Sequence, residues 1–395
     1  MKNSIIQLFF TLAIAVLLFT WNCLGQSVDD HIREGRAFLA AQNPSNAMVR
    51  FSKAATMQPR NETVQFLLGG SRLLVLADDP EIQQLLNRSQ FDKNGRSIYK
   101  WESEQRFDTN GWPIMDRTLT AANVFSVLSK KVCDVISSSV TNLSNIKSAN
   151  FIITLSASET SMGSVNVDYG DVQFVKSILL ALKANLLLFN TFNFPFNWGQ
   201  INDLYKSQRR SIEDYLSMYP DALKTVNGQT RAEAFLALTQ ACDSYFAASK
   251  TIRQRPLDAE RLFGFDEDLL QAEEEFYVDV ARFRSSLESP TLVESDDGDT
   301  VYLKPVFTPT FSIRGLAPKF SGNDLILGSW PDKSFGGIIK QRQEDEIIEV
   351  VSPLLPKSSR IVDGQKPVVA ITSPTAAQRV LTNNPVWQVR GTASD

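Results

Sequence analysis

One histidine, His31, serves the whole 395-residue chain. A multi-histidine metal site and a histidine acid–base pair are excluded by that count, and a His-based triad very nearly so. Asp29 and Asp30 precede His31 at spacings that turn them away from it on a helix, so His31 reads as a packing residue. Asp168 and Asp171 form a carboxylate pair of the kind that does general acid–base work. They also stand just ahead of a long apolar run, where an N-cap and a complement to the helix dipole are the better explanation. Two runs, Asp92-Lys93-Asn94-Gly95 and Asp108-Thr109-Asn110-Gly111, have the form that opens a calcium loop. Neither has an acidic residue at the closing position, so both read as Asx-Gly turns. A nucleophilic cysteine needs a histidine or clustered cations beside it, and neither Cys133 nor Cys242 has them. The sharpest ligand-binding pattern is a loop in which Phe192, Phe194, Phe196 and Trp198 alternate with asparagines and a proline. Such rings could stack on sugars while the amides bind hydroxyls; plugging the end of a helical bundle is their commoner fate. No P-loop, dinucleotide fingerprint, nucleophile elbow or metal-ligand cluster occurs. No catalytic, cofactor-binding or metal residue is therefore named, no cofactor is called for, and the expectation is a protein that is not an enzyme.

The bulk properties agree. Forty basic residues against 44 acidic ones leave no field for a phosphate backbone, so no nucleic-acid partner is expected. At 43% hydrophobic the chain can bury cores in two or three domains. The first element is an address: Lys2, a nearly polar-free stretch from Leu8 to Phe19, and Cys23-Leu24-Gly25 with small residues where a signal peptidase cleaves. Residues 1–25 are read as a cleaved leader, which places the protein outside the cytoplasm, whether secreted, periplasmic or at the cell surface. No transmembrane span is expected after cleavage. Loss of the leader removes Cys23 and leaves Cys133 and Cys242. Outside the cytoplasm a bridge between them could persist, but both lie on apolar helical faces, which favours two packed thiols.

Past the leader the period turns helical. Gly35, Phe38, Ala47, Phe51, Ala54 and Pro59 occupy the slots for a close helix crossing, an aromatic one turn on, a small-large-small face and a closing proline. Gly69 follows 34 positions after Gly35. This stretch, residues 28–90, resembles the tetratricopeptide repeat, which implies antiparallel helical hairpins. His31 stands where a tryptophan is usual, Glu34 replaces a leucine, and the second hairpin decays after Asp78-Asp79-Pro80. A pair of repeats must then pack on the helices that follow.

Residues 91–315 read as a helical bundle with a small hairpin insert between the two Asn-Gly turns. Helices are expected over Leu119–Leu143, Val172–Phe189, Ile212–Met218, Arg231–Thr251 and Glu267–Leu287, with an extended loop from Asn150 to Met162. The helix from Val172 carries Lys176, Lys183 and Asn185, so it is expected as a central buried helix. Strands are expected at Thr300–Leu303 and Val306–Ile313, and an irregular strap over 316–365.

Lys366-Pro367-Val368-Val369-Ala370-Ile371-Thr372-Ser373-Pro374 and Val386-Trp387-Gln388-Val389-Arg390-Gly391-Thr392-Ala393-Ser394-Asp395 resemble the first strands of a bacterial immunoglobulin-like module. Such a sandwich needs about seven strands, so residues 366–395 would be an incomplete module and Asp395 not the natural end. The expected fold is mainly α: tetratricopeptide-like antiparallel hairpins and a bundle, small β insertions, and the first strands of a β-sandwich at the C-terminus. The expected function is an exported, non-enzymatic scaffold offering a helical-repeat surface to a protein partner in the envelope or at the cell surface. The alternatives are an extracellular glycan-binding protein and the non-catalytic N-terminal part of a larger exported enzyme.

Overall fold

The computed structural model describes residues 26–109, 111, 113–161, 163–200, 203, 212–256, 261–292, 300–322, 324–340, 343, 347, 361–362, 368–373 and 390–394. The expected leader, residues 1–25, lies outside them.

Helix α1 (Val28–Ala40) starts at a reciprocal cap: the Ser27 hydroxyl accepts the Asp30 N–H at 3.1 Å while the Asp30 carboxylate accepts the Ser27 N–H at 3.0 Å. Helix α2 (Pro44–Met57) is capped by Asn43 with proline in its first turn, and α3 (Glu62–Val75) by Asn61. Short turns join them, and each packs on the next. Gly35 is the crossing point of α1 and α2, since a Cβ there would fall 2.4 Å from the Phe51 ring. Ala47, Phe51 and Ala54 are fully buried against it.

Gly69 has a different partner from the one the repeat spacing implies. Its missing Cβ leaves room for Ser139 and Asn142 of α6 (Cys133–Leu143), and the Ser139 hydroxyl donates to the Gly69 carbonyl at 2.9 Å. Between α3 and α6 run a 3₁₀ turn, α4 (Pro80–Arg88) and the paired strands β1 (Arg96–Ser97) and β2 (Lys100–Trp101). The decay expected after Asp78 is thus a change of partner. Asp79 caps a real helix, yet α4 buries no residue fully, and α6 covers α3 instead. Helix α5 (Ala121–Val127) runs into α6 through a π-helical turn at Leu128–Val132.

Strand β3 (Ile152–Leu155) pairs antiparallel with β4 (Val165–Asp168), Ile152 opposite Asp168 and Leu155 opposite Val165. The loop expected across Asn150–Met162 is therefore a strand followed by one helical turn, α7 (Ala157–Thr160). Arg36 reaches from α1 to fix that turn, with Nε 2.7 Å and Nη2 2.8 Å from the Glu159 carboxylate. The main core joins these elements around Phe51, Leu68, Ile136, Leu143, Val167 and Val172.

The second half is built on α8 (Tyr169–Phe189) and α10 (Gln229–Gln254), with α9 (Ile212–Met218) between them in sequence. Their contact is the most extensive between any two described elements. Ala234, Ala237, Ala241 and Ala248 line the α10 side; small residues let two helix backbones approach closely and cost no side-chain entropy. Gly170 repeats the device at one end, where a Cβ would stand 3.0 Å from Ile252. Helix α8 is long and apolar enough to cross a membrane by length and composition, and it packs along α10 and α6. It is not the central buried helix that was expected, because one face is bare: Ile178 is 51% and Leu182 45% exposed. Helix α11 (Glu267–Ser286) rests on α10.

The C-terminal third departs most from expectation. Strand β5 (Thr291–Leu292) pairs with β6 (Thr300–Val301), but Lys304–Phe307 is a 3₁₀ turn and Ile313–Leu316 the short helix α12. Pro309, inside the strand expected at Val306–Ile313, lacks the N–H a ladder needs, and Pro305 fixes the first turn of the 3₁₀ segment before it. The expected strap holds structure of its own. Strands β7 (Phe320–Ser321) and β8 (Asp324–Ile326) are antiparallel, β9 (Ile361–Val362) joins β8 in parallel, and Leu325, Trp330 and Ile347 are buried beside Phe320 and Phe335. Last, β10 (Val368–Ser373) pairs antiparallel with β11 (Arg390–Ser394) with a register shift between Ile371 and Ser373. Residues 366–367, 374–389 and 395 of the expected immunoglobulin-like module lie outside the described residues.

Candidate functional site

The aromatic loop does not form an open row of rings. Phe194 and Phe196 meet edge to face at 5.8 Å, and Phe194 also leans on Phe125, which stacks flat on Phe189 at 5.2 Å. Phe196 continues the chain of rings to Tyr215, and Tyr215 to Tyr219. Phe192 points elsewhere, onto the Arg231 guanidinium 5.2 Å from its ring centre. Trp198 is half-buried, and its backbone N–H donates to the Leu119 carbonyl at 3.0 Å. The four rings are thus divided among separate packing sites at the end of α8.

Arg231, which sequence reasoning passed over, is wholly buried. Its guanidinium lies between Phe192 and Phe311 and donates to the Thr308 carbonyl and the Thr225 hydroxyl. Burial pulls its pKa down. The site ties three loops to the first turn of α10 by cation–π contact and hydrogen bonds.

Asp168 and Asp171 do form a pair, as the cap of α8. Asp168 accepts the Gly170 and Asp171 N–H groups, and Asp171 accepts the Asp168 N–H. Arg255, from just past α10, donates to Asp168 at 2.6 Å and to Asp171 at 3.0 and 3.2 Å. Burial raises the Asp171 pKa; for Asp168 burial is outweighed by the hydrogen bond from Arg255, the Asp171 N–H and the charges of Arg255 and Arg261, and its pKa falls. With their oxygens taken up by backbone and guanidinium, these carboxylates hold the α8–α10 joint. Cys133 and Cys242 are buried free thiols, both pushed up to about 11 by burial, and hence poor nucleophiles at neutral pH. His31 is buried, and its Nδ1 has no hydrogen-bond partner among the described residues.

The polar cleft of about 710 Å³ between α4 and the β1–β2 insert contains the first Asx-Gly turn. Asp92 there is paired with Arg106, and buried Arg96 beneath it donates to the carbonyls of Phe91 and Asp92 and to the amides of Gln83 and Asn87. Among the described residues no three His, Cys, Asp or Glu side chains gather as a metal site.

The feature best shaped to bind is apolar. Between α8 and α11, over α10, runs a groove of about 370 Å³ whose floor is Ala181, Ala241 and Cys242 and whose walls include Leu238, Phe276 and Phe283. On α8, Ile178 and Leu182, next in sequence to the lining residues Ser177 and Ala181, are exposed. Helix α11 leans on α10 through few groups: Phe276 edge-on to Tyr245 at 5.2 Å, Tyr277 against Phe246, and Glu273 accepting the Tyr245 hydroxyl at 2.7 Å. Its other large apolar residues, Leu269, Leu270 and Val278, face solvent, and Phe276 is 55% exposed. Contiguous apolar surface of this kind marks interaction sites. The sequence does carry the signal, since Leu269, Phe276 and Phe283 recur every seven residues. Such a stripe predicts a partner without saying whether that partner lies in the same chain. Comparison with known proteins finds no matching family model, no matching curated protein and no matching solved structure.

Proposed function

We propose that this protein is an exported, non-enzymatic scaffold that presents a helical surface to a protein partner. The observation that carries the reading is the bare apolar groove between α8 and α11, lined by Ala181, Leu238, Phe276 and Phe283, with exposed Ile178 and Leu182 next in sequence to its α8 residues Ser177 and Ala181. Exposed rings and aliphatic chains on helices supply the anchors that dominate protein–protein association. Export is inferred from Lys2 and the apolar run to Phe19. The cap of α1 draws on Ser27 and Asp30 alone, both beyond the expected cleavage point.

Gly35 on Phe51 supports a tetratricopeptide-like first hairpin, with α6 taking the place of the second repeat's outer helix. That region exposes few large apolar side chains, Val49 and Met57 among them, so the presenting surface is assigned to the groove. The paired β10 and β11 support reading 366–395 as the opening of an immunoglobulin-like spacer. The glycan alternative loses ground because the rings of Phe192, Phe194 and Phe196 pack on neighbouring side chains.

The test is site-specific photocrosslinking in the producing cells, with the crosslinker at Leu182 or, as control, at Val49. A discrete crosslinked protein from position 182, absent from 49 and lost in Phe276→Asp, is expected. No adduct from 182, or the same adducts from both positions, overturns the reading.

A further inference from the structure

The groove has a length, a depth and a charge, and together these define an occupant. We propose that it receives an amphipathic helix of the partner protein with two large apolar anchors two turns apart and a cationic flank. This rests on the scaffold reading above and names the chemistry of its partner.

Length comes from the walls. Leu238 to Tyr245 on α10 and Phe276 to Phe283 on α11 each span two helical turns, about 10 Å along the axis. Depth comes from the volume. A cavity of about 150 Å³ holds a benzene ring, so 370 Å³ takes two side chains of leucine or phenylalanine size. The small residues Ser177, Ala181, Ala241 and Cys242 leave that space at the floor. An apolar helix face laid into such a slot is a recurrent mode of peptide recognition.

Charge selects among helices. Along Glu267–Ser286, α11 carries six carboxylates against two arginines, Arg282 and Arg284, and Arg284 is itself paired with Asp243 and Glu288. Arg253 answers Glu273 and Glu274. Glu275 is exposed one turn before Asp279 on the groove side, and Asp279 lines the groove, with Arg282 at 3.5 Å its only cation within one turn. On the facing side, the exposed stripe Ile178, Leu182, Asn185 and Phe189 has no charge. A second copy of this chain laying its α11 on this one would set carboxylates against carboxylates, and an anionic lipid surface would meet the same repulsion. A lysine- or arginine-flanked helix meets attraction.

The experiment titrates the chain from Gln26 onward with labelled peptides of about 18 residues, long enough for about five helical turns. One has a leucine face and a lysine flank, the second has glutamate for every lysine, and the third has the first one's composition with the face scrambled. Saturable anisotropy is expected for the first, at least about tenfold weaker for the other two. Leu182→Asp and Phe276→Asp should each weaken the first peptide at least about tenfold with an unchanged circular dichroism spectrum, and Glu275→Gln/Asp279→Asn about threefold. Leu182 is 45% exposed, so its aspartate disturbs no core; Phe276 also packs edge-on to Tyr245, so the Phe276→Asp result counts only where amide protection of α11 is unchanged. Equal binding of the glutamate peptide, indifference to Leu182→Asp, or no saturable binding overturns the proposal. So does a dimer in sedimentation that Leu182→Asp dissolves, or pelleting with phosphatidylserine vesicles. A position-182 crosslink together with equal binding of both peptides refutes the cationic helix and leaves the scaffold standing. Failure of both experiments refutes the scaffold as well.

Discussion

At the scale of single residues, the charged side chains act as joints. Arg255 and Asp171 are nearly or wholly removed from water, and Asp168 shares the same guanidinium. Taking the cation away leaves buried Asp171 without a counter-charge and Asp168 with only Arg261 at 3.6 Å, so Arg255→Leu is expected to cost roughly 3–5 kcal/mol, as for a broken buried ion pair. Replacing both partners at once, in Arg255→Leu/Asp171→Leu, should cost less than the single change, and urea denaturation of the two variants checks the ordering. If the double variant is the less stable, the ion pair is not what holds the joint. The cap of α1 makes a different, pH-dependent prediction. Hydrogen bonds from the Ser27 hydroxyl and N–H and from Arg33 lower the Asp30 pKa from 3.8 to about 2. A carboxylate whose pKa is lower folded than unfolded stabilises the fold fully above the unfolded value, and that contribution disappears as pH falls through the folded one. Thermal midpoints of the parent and of Asp30→Asn should therefore differ by a constant amount above about pH 5 and converge as pH falls from about 4 towards 2. A gap that stays constant over that window would show that the cap works through shape and not charge.

At the scale of elements, close approach is set by residues with little or no side chain. Phe51 cannot move aside for a Cβ at position 35, because its ring is fully enclosed. Gly35→Ala should lose about 1–3 kcal/mol by overpacking. Gly70, in the middle of α3, has nothing within 4 Å of its would-be Cβ, so Gly70→Ala should be neutral or gain up to about 1 kcal/mol from helix propensity. Chemical denaturation of the pair separates a crossing glycine from an incidental one. The position of Gly35 and the Phe51 face could be read in the sequence because helix pairing there is local. The span of α9, Ile212–Met218, and the cap at Asp168 were equally legible, since caps and periods are encoded within a few residues. What could not be read was pairing at a distance. Gly69 finds Ser139 across an intervening helix and hairpin, and no local period signals that. Phe320, Leu325, Trp330 and Phe335 recur every five residues, a spacing that belongs to neither helix nor strand, so their small core was invisible. The groove was half legible: the α11 stripe is plain in the sequence, but that α10 would leave it bare is decided by tertiary packing.

At the scale of the whole molecule, stability should be graded along the same axis as function. The α8–α10 pair is zipped by alanines, clasped at one end by Arg255 and at the other by Arg231, and wedged against the main core through α6. Helix α11 has the opposite character. Glu273 and Ser286 are its only residues among those described that are fully withdrawn from solvent, and a second cleft of about 500 Å³ opens on its far side, beside Phe246 and Tyr277. Local opening is cheapest where few apolar contacts hold an element down. In amide exchange, α11 should therefore lose protection first among the long helices, and α8 and α10 should exchange last, near the global unfolding limit. A groove that binds a helix between α8 and α11 couples the two, because the ligand contacts the loose wall and the rigid one together. Saturating lysine-flanked peptide should then slow exchange across α11 and leave α1 to α3 unchanged, whereas the glutamate peptide should leave α11 as fast as in the free protein. Protection spread evenly over the chain would mean that the ligand stabilises the fold as a whole; protection confined to α11 locates the binding at the groove and identifies this helix as the adjustable wall.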